Sequence, residues 1–212
     1  NPCVPLLLAQ GLGFFTHGVV DQHFNARPRL LRTIEACLYN RENAKTGFAI
    51  SEDTALVYQN GTIEVLGSAS VYVIDCRNAA KTGNGCYENI VLHAIQKGDA
   101  YDTDTRVVTL ACEAEVQTHE YALDYVCGGI TGSRVFDEMI DKYLFRCKRE
   151  QLYFCAHRGK RFFKGAAVYE ADGKTYLVVP EYFIDADTKG YMGERASFTN
   201  LELAVKTVEV AM

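Results

Sequence analysis

The sequence has no surplus of positive charge, no long apolar run and no paired-cysteine metal motif. Each absence removes a class of function. Twenty-two Lys and Arg against 27 Asp and Glu leave a net charge of −5, which argues against a nucleic-acid partner. No stretch reaches the roughly 18 apolar residues of a membrane-spanning helix. The run from Val4 to Ala9 is too short for one and lacks the basic start of a signal peptide. There is no C-x-x-C pair and no zinc-finger spacing of cysteine with histidine, so no metal and no cofactor is expected. Repeats, low-complexity segments and obvious linkers are also missing. The chain opens on Asn1-Pro2 rather than Met, and the expectation is a start inside a longer precursor or an excised fragment.

With 212 residues, 48% of them hydrophobic, the chain suits one or two globular domains. Its eight cysteines fit either the disulfides of a secreted protein or the reduced core thiols of a cytosolic one. Asn60-Gly61-Thr62 is a glycosylation sequon, and Asn-Gly is also a hairpin turn signal. Secretion or a luminal location is expected, with a cytoplasmic one as the alternative.

The first half alternates strand and helix signals. Gly18 to Asp21 reads as a buried strand end, and Pro28 fits the first turn of a helix. Leu30, Leu31, Ile34, Cys37 and Leu38 recur at helical spacing. Short β-branched or aromatic runs follow at 48–50, 55–59, 62–66 and 70–75, with the turn Asn60-Gly61 between the second and third, and 90–95 is another apolar run. In the second half, 106–116, 152–156, 162–170 and 175–183 are strand candidates, the last two joined at Asp172-Gly173. Val135, Met139, Ile140, Tyr143, Leu144 and Cys147 mark an amphipathic helix, and Leu201 to Ala211 predicts a closing one. A boundary near residue 105 divides a domain over 1–105 from a strand-rich α+β extension over 106–212.

The stretch "GVVDQHFNARPRLLRTI", Gly18 to Ile34, carries the strongest chemical signal. A histidine at the C-terminal edge of a strand is well placed for chemistry in an open α/β sheet. As a general base it needs an acid to fix its tautomer, and Glu52, at the end of the next apolar run, fits. Arg27, Arg29 and Arg32 oppose the dipole at a helix start. They need a compensating anion: Asp21, Glu52, Asp53 or a bound carboxylate.

These residues resemble a family. "GLGFFTHGVVDQHFNARPRLLRTI", "GFAISEDTALVYQNGTIEVLGSASVYVID" and "NIVLHAIQKGDAYD" are similar, in that order, to the C-terminal half of the cyanophycinases, serine peptidases of the peptidase E-like group. The resemblance covers about residues 8–104. It implies an α/β, flavodoxin-like three-layer core related to class I glutamine amidotransferases, of which this chain holds the C-terminal half. It implies His23 as the base and Glu52 as the residue that orients it. Asp21, Gln22, Arg27, Arg29 and Arg32 would line a pocket for β-linked aspartyl peptides of the β-Asp-Arg type.

The family's nucleophile, a serine on a glycine-flanked elbow ahead of the histidine, has no counterpart. Gly67-Ser68-Ala69-Ser70 has Val71 where the tight turn needs glycine, and it follows His23. Gly128 to Ser133 has no central serine. The expectation is a processed, two-chain hydrolase with a peptide as substrate, whose N-terminal chain, from the same precursor, carries the serine; a homo-oligomer of the two-chain unit is a further partner state in this expectation. The alternative is an inactive structural, storage or assembly protein that keeps the fold.

Overall fold

The computed structural model describes residues 6–9, 11–27, 29–39, 45–83, 85–112, 114–118, 145–148, 151–154, 167–171, 174–183 and 187–210. The first elements in chain order are β1 (Val19–Gln22), α1 (Leu30–Tyr39), β2 (Thr46–Ile50), β3 (Thr54–Gln59), β4 (Thr62–Gly67), β5 (Val71–Asp75), β6 (Ala80–Gly83) and β7 (Cys86–Ile95). They are followed by β8 (Ala100–Asp102), β9 (Val108–Thr109), β10 (Ala114–Thr118), β11 (Phe145–Lys148) and β12 (Gln151–Phe154). The series closes with β13 (Ala167–Ala171), β14 (Lys174–Phe183), β15 (Lys189–Met192) and β16 (Ala196–Val210).

Among the described residues the fold is a mixed, sheet-rich α/β arrangement. A 12-stranded sheet runs β1-β2-β5-β7-β16-β15-β10-β12-β11, with β6 on β7, β14 on β16 and β13 on β14. The strand β1 stands at its edge and pairs β2 in parallel, whereas β5 pairs antiparallel with β2 on one side and with β7 on the other. Successive residues of β5 point to opposite faces, and all five are buried. Such a strand needs the near-continuous apolar run that Val71 to Ile74 supplies. Tyr72 and Ile74 pack with Leu30, Ile34 and Cys37 of α1 on one face. Val71 and Val73 pack with Ile63, Val65, Tyr101 and Val108 on the other. That second face is covered by a four-stranded sheet, β3-β4-β8-β9.

The runs at 48–50, 55–59, 62–66 and 70–75 fall in β2, β3, β4 and β5. The turn between β3 and β4 has φ 50 at Asn60 and φ 84 at Gly61, the left-handed pair of a tight hairpin turn. The expected closing helix is instead the strand β16. Its buried Leu201 and Leu203 alternate with the exposed Glu202, and Val205, Thr207, Val208 and Val210 are β-branched. The alternation breaks at the buried Ala204, where the pairing with β7 shifts register. Of the expected helix at 135–147, residues 135–144 lie outside the described residues, and Phe145–Lys148 is the strand β11. Pro28 and Asp172-Gly173 also lie outside them. Among the described residues Cys37 and Cys76 are buried thiols outside any disulfide, and Cys112 is an exposed one.

The join between the first hundred residues and β16 holds a buried histidine. His93 on β7 is 5% exposed. Its Nδ1 lies 3.0 Å from Thr199 Oγ1 and accepts the Asn200 backbone N–H at 3.2 Å. Burial drives its pKa down from 6.5 to about 4; the charge of Asp75 pulls it up and that of Arg77 pushes it down. The folded chain therefore holds this imidazole neutral where the unfolded chain would protonate it. The stabilisation is complete above pH 6.5 and drains away as pH falls toward 4, by about 3 kcal/mol in total. Urea unfolding of wild type and His93→Gln between pH 7 and pH 4 checks this: the loss across that window is expected to shrink in the variant.

Candidate functional site

Parallel pairing builds the site. With Gln22 opposite Ile50, β1 and β2 end at the same edge of the sheet. The next residues, His23 on one chain segment and Ser51-Glu52 on the other, therefore emerge side by side. His23 Nδ1 lies 3.2 Å from Glu52 Oε1. A carboxylate only accepts, so in the neutral imidazole the proton sits on Nδ1 and the lone pair on Nε2. The pair faces water: the His23 side chain is 56% exposed and that of Glu52 is 39%.

Both turns are unusual. His23 has φ 54 and Asp53, beside Glu52, has φ 52. Non-glycine residues in this left-handed region carry strain of ~1–3 kcal/mol and cluster at functional sites. The turns are tied down by backbone bonds: Phe24 N–H to Ile50 C=O at 3.0 Å, Ser68 N–H to Asp53 C=O at 3.1 Å and Ser51 N–H to Ser70 C=O at 3.4 Å. Gly67, with φ +119, lets the Asp53 turn sit close, because a Cβ there would lie 2.1 Å from the Asp53 carbonyl oxygen. The segment Gly67 to Ser70 is thus a strap under the Glu52 turn.

The three arginines divide. Asp21 is 5% exposed. Its Oδ1 accepts from Arg29 Nη1 at 2.7 Å and Arg32 Nη2 at 2.5 Å, and its Oδ2 accepts the Thr33 hydroxyl at 2.8 Å. Arg29 also donates to the Gln22 carbonyl at 2.6 Å. The anion that offsets the cations at the start of α1 is therefore Asp21, and Glu52 goes to the histidine instead. Both oxygens of Asp21 are engaged from within, which fits it to hold arginines rather than to bind an incoming cation. Gln22, His23 and Arg27 are exposed at the same edge. Asn60 stands apart, exposed in the β3–β4 turn.

Sequence reasoning missed Thr33, Asn25 and Gly67. Thr33 was legible in principle, as it lies one helical turn beyond Arg29 on the buried face of α1. Asn25 bonds Ser51 across the two loops, and no periodicity announces that contact. Among the described residues no group of three or more His, Cys, Asp and Glu side chains is placed to hold a metal ion.

Comparison with known proteins adds a second line. No protein-family model matches the chain. A cyanophycinase of Synechococcus elongatus is 36% identical over 114 residues, 50% of this chain and 35% of that protein. About half of the chain is similar to cyanophycinases. Those of Geminocystis herdmanii and Trichormus variabilis are each 34% identical, over 107 and 110 residues, which is 46% and 48% of this chain and 39% and 36% of the relatives. The similarity thus spans little more than a third of the length of the curated relatives it matches.

Proposed function

We propose that the cyanophycinase-like half of this chain is the base-bearing part of a serine peptidase that hydrolyses β-aspartyl peptides of the β-Asp-Arg type. The observation that carries the reading is the exposed His23–Glu52 pair at 3.2 Å, delivered by two parallel strands in a chain half similar to cyanophycinases. In the proposed reaction a serine hydroxyl attacks the scissile carbonyl and His23 Nε2 takes its proton. Glu52 stabilises the imidazolium, and the proton passes to the leaving amine. Water then hydrolyses the acyl-serine by the same route in reverse order. Arg27 is available for a substrate carboxylate, Gln22 for a substrate amide, and Asp21 sets Arg29 and Arg32 behind them.

In this reading the nucleophilic serine is supplied by a second polypeptide of the same precursor. Its strands would extend the sheet at β1 into a flavodoxin-like whole. Secretion or a luminal location, with a glycan on Asn60, belongs to the same reading. Mass spectrometry of the protein purified from its source tests it. A native mass that resolves on denaturation into a 23.6 kDa chain plus a second one, with a fluorophosphonate label on the second, is expected. A lone 23.6 kDa monomer in native solution, or a partner without a reactive serine, sinks the reading in favour of a structural, storage or assembly role.

A further inference from the structure

Asn25 follows the histidine by two positions and is 4% exposed. Its side-chain Nδ2 lies 2.5 Å from the Ser51 hydroxyl oxygen, a buried contact between the loop after β1 and the turn after β2. Its Oδ1 is buried with no hydrogen-bond partner among the described residues. A polar atom left in that state is unfavourable against an apolar side chain of the same shape. A leucine would therefore fill this place with less penalty, unless the amide's remaining bond fixes something that packing does not. Packing has little hold on the pair beside it. His23 and Glu52 both face water, and the backbone at His23 and Asp53 is in the left-handed region. The Asn25–Ser51 contact is a buried side-chain link between the two segments that carry the pair.

We propose that Asn25 is a positioning residue for His23: through Ser51 it locks the loop of the histidine to the turn of Glu52. The lock keeps the Nδ1–H directed at Glu52 and the Nε2 lone pair free. The proposal rests on the reading of His23 and Glu52 as a general-base pair. Loss of the lock lets the imidazole rotate, and a displacement of about 1 Å at a reacting group lowers turnover by up to ~100-fold.

Asn25→Leu, Ser51→Ala and the double variant test this in the assembled protein with a β-aspartyl dipeptide. Each single change is expected to lower kcat by about 10- to 100-fold with KM little moved, and the double is expected to be no worse than the worse single. Ring-nitrogen NMR on 15N-histidine protein gives an independent readout, with His23 assigned by His23→Gln. Wild type is expected to show the Nδ1–H tautomer, and each variant a mixture of tautomers. Wild-type kcat in the variants, additive losses, or an unchanged tautomer overturns the proposal. If Asn25→Leu does not fold, Ser51→Ala, which removes one oxygen, decides. If wild type hydrolyses nothing, the general-base reading fails, and the NMR comparison still decides whether Asn25 positions the ring.

Discussion

Replacing His23 by Gly is expected to abolish hydrolysis and to stabilise the chain in the same step. A positioned general base contributes about 10²–10⁴-fold to rate, so turnover of a β-aspartyl peptide should fall by that factor. The backbone argues the other way for stability. His23 sits at φ 54, where a side chain carries strain and glycine carries none. The bond lost to Glu52 is exposed on both sides and contributes little. A net gain of about 1 kcal/mol follows, which for a chain of this size raises Tm by ~2–4 °C. Peptide hydrolysis and thermal unfolding, measured on the same preparation, check both halves. His23→Ala should share the loss of rate without the gain, because Ala keeps the strained Cβ. Retained turnover, or a lower Tm for Gly than for Ala, would refute the account of this loop.

Asp99→Ala is expected to be strongly destabilising. The carboxylate is 2% exposed. Its Oδ2 accepts from the Gln96 backbone N–H at 2.9 Å and the Ser197 hydroxyl at 2.6 Å; its Oδ1 accepts from the Ala111 N–H at 2.8 Å and the Tyr191 hydroxyl at 2.9 Å. Burial, with the bond to Asp99 next, pushes the Tyr191 phenol up to about 12, so it remains a donor at neutral pH. Truncation strands all these donors, and breaking such a buried network costs about 4 kcal/mol. Asp99→Asn should recover part of the loss, since one oxygen still accepts while the new amide faces donors. Tyr191→Phe should lose about 1 kcal/mol. Urea unfolding gives the ranking Ala, then Asn, then Phe. Hydrogen exchange should show the β15–β16 hairpin opening first in the Ala variant, because Ser197 and Tyr191 belong to it.

How far the sequence could be read depended on whether a signal is local. The hairpin at Asn60-Gly61 and the buried runs of β2 and β5 were legible, because turn chemistry and side-chain period are properties of a few neighbours. The direction of packing was less so. The apolar run at 201–211 reads as a helix until the exposed Glu202 and Lys206 are weighed against the β-branched residues. What makes it a strand is pairing with β7 and β14, both remote in sequence.

The site was legible in the same uneven way. His23 and Glu52 were predicted to meet because two strand ends can share an edge, and the parallel register of β1 and β2 brings them together. The fate of the arginines was not readable. Three cations and several candidate anions leave the pairing open, and burial of Asp21 beneath α1 decides it in favour of Arg29 and Arg32. Asn25 gave no signal at all, since an isolated amide after a strand is ordinary loop composition until its partner is known.

The long strand β16 pairs with β7 along one side and with β15 and β14 along the other. β7 ends at Ile95 and β16 begins at Ala196, so roughly 100 residues must be made between two strands that end as neighbours. At ~5–20 residues per second of synthesis, a nascent chain waits about 5–20 seconds with the far edge of β7 bare. The loops of His23 and Glu52 can form early in that interval, from contacts that are close in sequence. The sheet that anchors them closes only when β16 arrives, which makes folding slow for topological reasons and leaves β7 exposed to wrong partners until then.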